Sequence, residues 1–291
     1  MATTAQARAL TFIEQLARDL ADKQLELPAF PDAVIRVQLA LQSDDNNVGD
    51  TVRILSSEPA LAARLLQLAN SAQMRRADAQ VNDLHRAVSR MGYDMVRSIA
   101  ISFAMRQLQR NEKYSKAAQA ELQAAWTEAI QVAAISYVLA KHYTSLSPDE
   151  ALLAGLLHVI GRLYIVMRFE ETEHVSDAEL EGIVAEWHTA IGKAIAESWG
   201  LSEALSIALE QQNDYDINLS GPVRLCEVLI AAKIINFGGQ DPTGCDPDAE
   251  TEPATLAVLE RLGIPSNDKT STRGLGTHIE EIERIRSALA G

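Results

Sequence analysis

Apolar residues recur at helical spacing almost from the start of the chain. Leu10, Ile13, Leu16, Ala17 and Leu20 share one face of a helix. Leu27-Pro28-Ala29-Phe30-Pro31 then breaks the pattern, and Pro31 suits the first turn of the helix that follows. Asp44-Asp45-Asn46-Asn47 reads as a turn. Pro59 opens a helix carrying Leu61, Leu65, Leu66 and Leu68, which closes at Asn70-Ser71. The next helix begins near Asp83 and ends at Gly92, whose freedom at positive φ suits a C-terminal cap; Met95 to Leu108 follow. After a polar junction at 109–119, a long helix runs to about His142. Ser147-Pro148-Asp149-Glu150 combines a capping box with proline at the first helical position, and Ser176 to Glu179 repeats the box. Gly200 and Ser220-Gly221-Pro222 punctuate later helices, 238–252 reads as a loop, and short helices near 254–262 and 279–289 close the chain. The pattern predicts an all-α protein in two helical lobes, 1–112 and 113–240, with a tail over 241–291 that packs back.

Composition agrees with this reading. The 291 residues are 47% hydrophobic and 23% charged, with aromatics at only 5%, which suits a packed helical protein. Of the two cysteines, Cys245 lies in the 238–252 loop, while Cys226 falls in an apolar run and reads as a small buried hydrophobe in a reducing compartment. The longest apolar stretch, 151–167, is short for a bilayer span and holds His158 and Arg162. With no basic-then-apolar leader, a cytoplasmic protein without a membrane segment is the expectation. A net charge of −14 speaks against general nucleic-acid binding. Between residues 53 and 110, however, nine arginines face four acidic residues. Solvated helix faces explain that excess simply; an anion patch centred on Arg75 and Arg76 is the sharper alternative.

His158, in Ala154-Gly155-Leu156-Leu157-His158-Val159-Ile160-Gly161, carries the most chemical information. Imidazole and carboxylate are both good ligands for first-row metals. A histidine followed by aspartate on a buried helix would offer both, but here the next residue is valine. The surrounding motifs resemble those of the HDOD domain, a non-catalytic relative of the HD phosphohydrolases found in bacterial signalling proteins. The resemblance spans roughly residues 27–237. It rests on Leu27 to Pro31, Glu58-Pro59 through Asn70-Ser71-Ala72, Ala87 to Gly92, Trp126, Ala154 to Gly161, His188 with Gly192, and Trp199-Gly200-Leu201. Glu58 departs mildly from the family's usual aspartate.

The resemblance implies a site that has lost most of its ligands. Glu128 stands about where the first HD histidine would lie, His158 and His188 are retained, and Val159 replaces the aspartate. Gln211 and Gln212 replace a later histidine pair, and the final aspartate falls near Ala232 or Lys233. Holding an ion and activating its water needs several anionic or imidazole donors. No metal or cofactor is therefore expected, with Glu128, His158 and His188 as the one weak single-ion candidate. The plainer readings are a buried His158 bonded to a backbone carbonyl or to Glu128, a His188 that caps a helix junction, and an Asn70-Ser71 step that satisfies backbone groups. The resemblance implies a non-catalytic regulatory module acting on separate signalling proteins or sensing a ligand, a nucleotide among the candidates. The alternatives are a residual metal-dependent phosphohydrolase and a nucleotide or nucleic-acid sensor using the arginine-rich lobe. Homo-oligomeric state is not legible in the sequence.

Overall fold

In the computed structural model, the described residues are 48–70, 80–109, 114–171, 177–215, 218–237, 253–264 and 275–290, with helical positions 14, 15, 17, 18 and 21 near the start. All regular structure among them is helical. The helices are α1 (Val48–Ser56), α2 (Pro59–Ala69), α3 (Leu84–Met91), α4 (Tyr93–Gln109), α5 (Lys116–Tyr143), α6 (Pro148–Leu157), α7 (Ile160–Glu171), α8 (Asp177–Ser198), α9 (Glu203–Glu210), α10 (Leu225–Asn236), α11 (Pro253–Arg261) and α12 (Ile279–Ala290), the last preceded by a 3-10 turn at Gly276–His278. Pro31, Ser71, Arg75 and Arg76 lie outside the described residues.

The local starts and stops follow side-chain chemistry. Pro59 occupies the first turn of α2, where its missing N–H costs nothing. Asp83, Ser115, Ser147 and Ser202 accept hydrogen bonds from the first-turn N–H groups of α3, α5, α6 and α9. The box at Ser147 is only half local, because Glu150 accepts instead from the Ser202 hydroxyl at 2.5 Å and so ties α6 to α9. Gly92 caps α3 at φ 80°. Asn70 closes α2 and clamps the next segment: its Nδ2 donates to the carbonyls of Leu66 and Val81, and its Oδ1 accepts from the Val81 N–H at 2.7 Å.

Helices α1 to α4 pack on one another, and α5 is the spine of the larger bundle, touching α4, α6, α7, α10 and α12. Its 28 residues bury a face from Ala118 through Trp126 and Ile130 to Leu139. The apolar run 148–170 is long and apolar enough to cross a membrane, yet 89% of its most apolar window is buried inside the protein, so it is accounted for as core. It is also not one helix. The backbone turns at His158-Val159, which places His158 at the C-terminal cap of α6 rather than mid-helix. Helix α12 lies across α5 and α4, where Arg64 and Arg106 donate to its Ala288 and Ala290 carbonyls.

Two glycines set the helix spacing around that turn. A Cβ on Gly155 would stand 2.4 Å from the Ala133 Cα of α5, and one on Gly161 would stand 1.9 Å from the His188 carbonyl oxygen of α8. Both obstacles are backbone and cannot rotate away. At Gly192 the nearest atom to an added Cβ is 3.7 Å away, an ordinary contact. Gly161→Ala is therefore expected to lower the unfolding free energy by about 3 kcal/mol through overpacking. Gly192→Ala should be neutral or stabilise by up to about 1 kcal/mol through helix propensity. Urea midpoints of the two variants check this; equal midpoints would contradict the close-approach argument.

Candidate functional site

The turn between α6 and α7 presents His158 to the middle of α5. His158 is 3% exposed, and both ring nitrogens face acceptors: Nδ1–H donates to the Gly155 carbonyl at 2.6 Å, and Nε2–H donates to Glu128 Oε1 at 3.1 Å. The other Glu128 oxygen accepts from Arg162, one turn into α7, at 3.1 Å. Arg162 Nε donates also to Glu121 at 2.6 Å. Glu121 and Glu128 are seven residues apart on α5, two turns along one face, so a single guanidinium spans both carboxylates. Burial pushes the Glu128 carboxyl upward. The hydrogen bond and charge of His158, with the charges of Arg162 and Lys233, overcome this and hold it at about 2.

A second group of polar side chains adjoins the first. Gln212 Nε2 donates to the His158 carbonyl at 3.0 Å and to that of Leu209 at 2.9 Å. The Lys233 ammonium, on α10 and 3% exposed, donates to the Gln212 side-chain and backbone oxygens, both at 3.3 Å, and to Asn213 Oδ1. Burial pulls its pKa down to about 8, against the favourable charge of Glu128. Asn213 in turn donates from Nδ2 to His188 Nε2 at 3.2 Å, and His188 Nδ1–H donates to the Val184 carbonyl at 2.7 Å. That pattern fixes His188 as a neutral imidazole. Burial, despite the Val184 bond, and the charges of Lys233, His158 and Arg162 depress its pKa to about 4. His188 stands inside α8, bonded within its own helix, so the expectation that it caps a helix junction is corrected.

The structure thus gathers Glu128, His158, His188, Gln212 and Lys233 into one connected network. Gln211 is set apart: it closes α9, and its buried Oε1 has no hydrogen-bond partner among the described residues. Val159 is buried as core. Arg162 and Asn213, which complete the network, were not singled out as site residues from the sequence. Arg162 left a usable signal, because a charge inside an apolar run must find a partner. Asn213 left none.

The model of the HDOD domain matches residues 27–215. The chain belongs to the HDOD domain family. An "Uncharacterized protein" of Treponema pallidum (strain Nichols) is 28% identical over 209 residues, 65% of this HDOD chain but only 38% of that protein's length. Among crystal structures, a "Putative metal-dependent phosphohydrolase" from Shewanella amazonensis SB2B has a TM-score of 0.73 at 24% identity, covering 97% of this chain and 99% of that one. An "HDOD domain protein with unknown function" from Geobacter sulfurreducens has a TM-score of 0.61 at 21% identity, covering 98% and 97%. At these identities the likeness shows the shared fold alone. The family match ends at residue 215, so α10 and Lys233 lie beyond it.

The residues present do not fit the metal ion that HD relatives suggest. Each His158 nitrogen already donates to an acceptor, His188 Nε2 is engaged by Asn213, and a buried ammonium stands among them. One carboxylate, Glu128, faces His158, Arg162 and Lys233. A divalent ion would have to displace these bonds and sit near like charge.

This electrostatic arrangement sets a pH dependence. His188 is depressed from 6.5 to about 4, so its neutral burial costs nothing above pH 6.5 and destabilises progressively as pH falls to 4. Glu128, lowered from 4.5 to about 2, contributes stability above pH 4.5 that is lost as pH falls toward 2. Lys233, lowered from 10.5 to about 8, makes stability rise between pH 8 and 10.5. Each window corresponds to on the order of 3 kcal/mol. Urea unfolding across pH should show the alkaline rise in the wild type and lose it in Lys233→Met. A variant retaining the full rise would show that Lys233 is not its source.

Proposed function

We propose that this HDOD protein is a non-catalytic regulatory module that works through contacts with separate signalling proteins. The observation that carries the reading is the partly buried ion network, in which the Glu128 carboxylate is compensated by His158, Arg162 and Lys233. Two-metal phosphohydrolysis depends on a metal-bound water of lowered pKa aimed at phosphorus. This chain's residues supply internal counter-charge instead, and Val159 offers no lone pair. The network then serves to hold α5, α7, α8 and α10 in fixed register, keeping a shaped surface for a partner.

The arginine-rich lobe gives less support to a polyanion sensor. Among the described residues, Arg64 and Arg106 bind α12 carbonyls, Arg90 binds the Ala69 carbonyl, and Arg86 and Arg97 pair with Asp83 and Asp94. These cations serve internal contacts.

Assays of the full chain on phosphomonoesters and cyclic nucleotides, with manganese or magnesium added, test the proposal. No turnover above buffer is expected, and His158→Ala should leave that baseline unchanged. Turnover that His158→Ala abolishes would sink it. A melting temperature that rises with a nucleotide, and no longer does so in Arg75→Ala/Arg76→Ala, would favour the sensor instead.

A further inference from the structure

A different set of donors converges away from the HD-like network, where the last turn of α5 meets the start of α12. His142 Nε2 lies 2.8 Å from Glu281 Oε2, and His278 Nδ1 lies 4.0 Å from the same oxygen. One ligand atom from each residue falls within 4.8 Å of the others. The residues come from segments about 140 positions apart, and their side chains are 31%, 22% and 18% exposed, so they are reachable from solvent yet partly shielded.

We propose that His142, His278 and Glu281 form a binding site for a zinc-class divalent transition metal that fastens α12 to α5. Two imidazoles and one carboxylate are a recognised zinc donor set, leaving a fourth position for water. Donors about 2.0–2.1 Å from a tetrahedral ion stand about 3.3 Å apart, between the two separations found here. The surroundings favour this set. Lys141 Nζ binds the other Glu281 oxygen at 2.6 Å, which orients the carboxylate so that Oε2 faces the histidines. Tyr143 lies edge-on to His278, with centroids 6.0 Å apart. The two imidazoles are stacked, 4.1 Å between centroids and 22° between planes. To aim both lone pairs at one ion, a ring must turn about χ2, a soft torsion for histidine. The ion takes the place of the hydrogen bond between His142 and Glu281.

The position gives the ion a mechanical role. Beside it, a cavity of about 350 Å³ opens between the lobes, lined by Leu68, Met95, Tyr137, Lys141, Ile285 and Leu289 among others. Helix α12 forms one wall of that cavity, and Glu281 belongs to both wall and metal site. An ion there closes the wall, and its loss frees the first turn of α12.

Zinc titration of the tag-free full chain, followed by calorimetry and native mass spectrometry, tests the site. One zinc per chain is expected. His142→Ala and His278→Ala should each weaken it roughly tenfold or more, and His158→Ala should bind as the wild type does. Zinc should also slow proteolytic release of α12 in the wild type and not in His278→Ala. Absence of stoichiometric zinc, or unchanged affinity in His278→Ala, would overturn the proposal. Zinc lost through His158→Ala instead would overturn both it and the reading of the HD-like network as metal-free.

Discussion

The Glu128 carboxylate must be compensated within the protein, and much of the bundle's interior is arranged around that requirement. A charge in a low-dielectric interior is tolerated only with close partners of opposite sign. His158 and Arg162 bind its two oxygens directly, and Lys233 contributes from α10. Those three partners come from three elements, the α6–α7 turn, α7 and α10, so compensating one side chain on α5 fixes the packing of its neighbours. Pairing of this kind need not add net stability, but losing a partner strands a charge, which makes the arrangement all-or-none.

The same logic organises the second group. Lys233 could not be buried without oxygen acceptors, and Gln212 and Asn213 supply them. Asn213 has its Oδ1 on the ammonium, so its Nδ2 is left to donate to His188. That donation requires the neutral ring, which agrees with its depressed pKa. A chain of donors and acceptors thus leads from α10 to α8.

The C-terminal helix repeats the theme of one element held by distant charges. Arg64 and Arg106 meet its last carbonyls, while Lys141 and His142 meet Glu281 in its first turn. Cations at the C-terminus and an acid at the N-terminus both oppose the helix dipole favourably. Its amphipathic face then has only to cover α4 and α5.

The helices themselves were legible in the sequence. Periodicity together with Pro59, Asp83, Gly92 and Ser147 marks where several of them start and stop, because capping depends on residues a few positions apart. The family was legible too, once the motifs from Pro59 to Trp199 were matched. Three features required the tertiary structure. The turn at His158-Val159 arises where Gly155 and Gly161 let α5 and α8 approach, which no local pattern announces. The partnership of Lys233 with Asn213, and of Asn213 with His188, joins side chains on different elements. So does the meeting of His142 with His278 and Glu281. Sequence determines local helix formation because its hydrogen bonds span four residues; which charges end up facing one another is decided only when the helices pack.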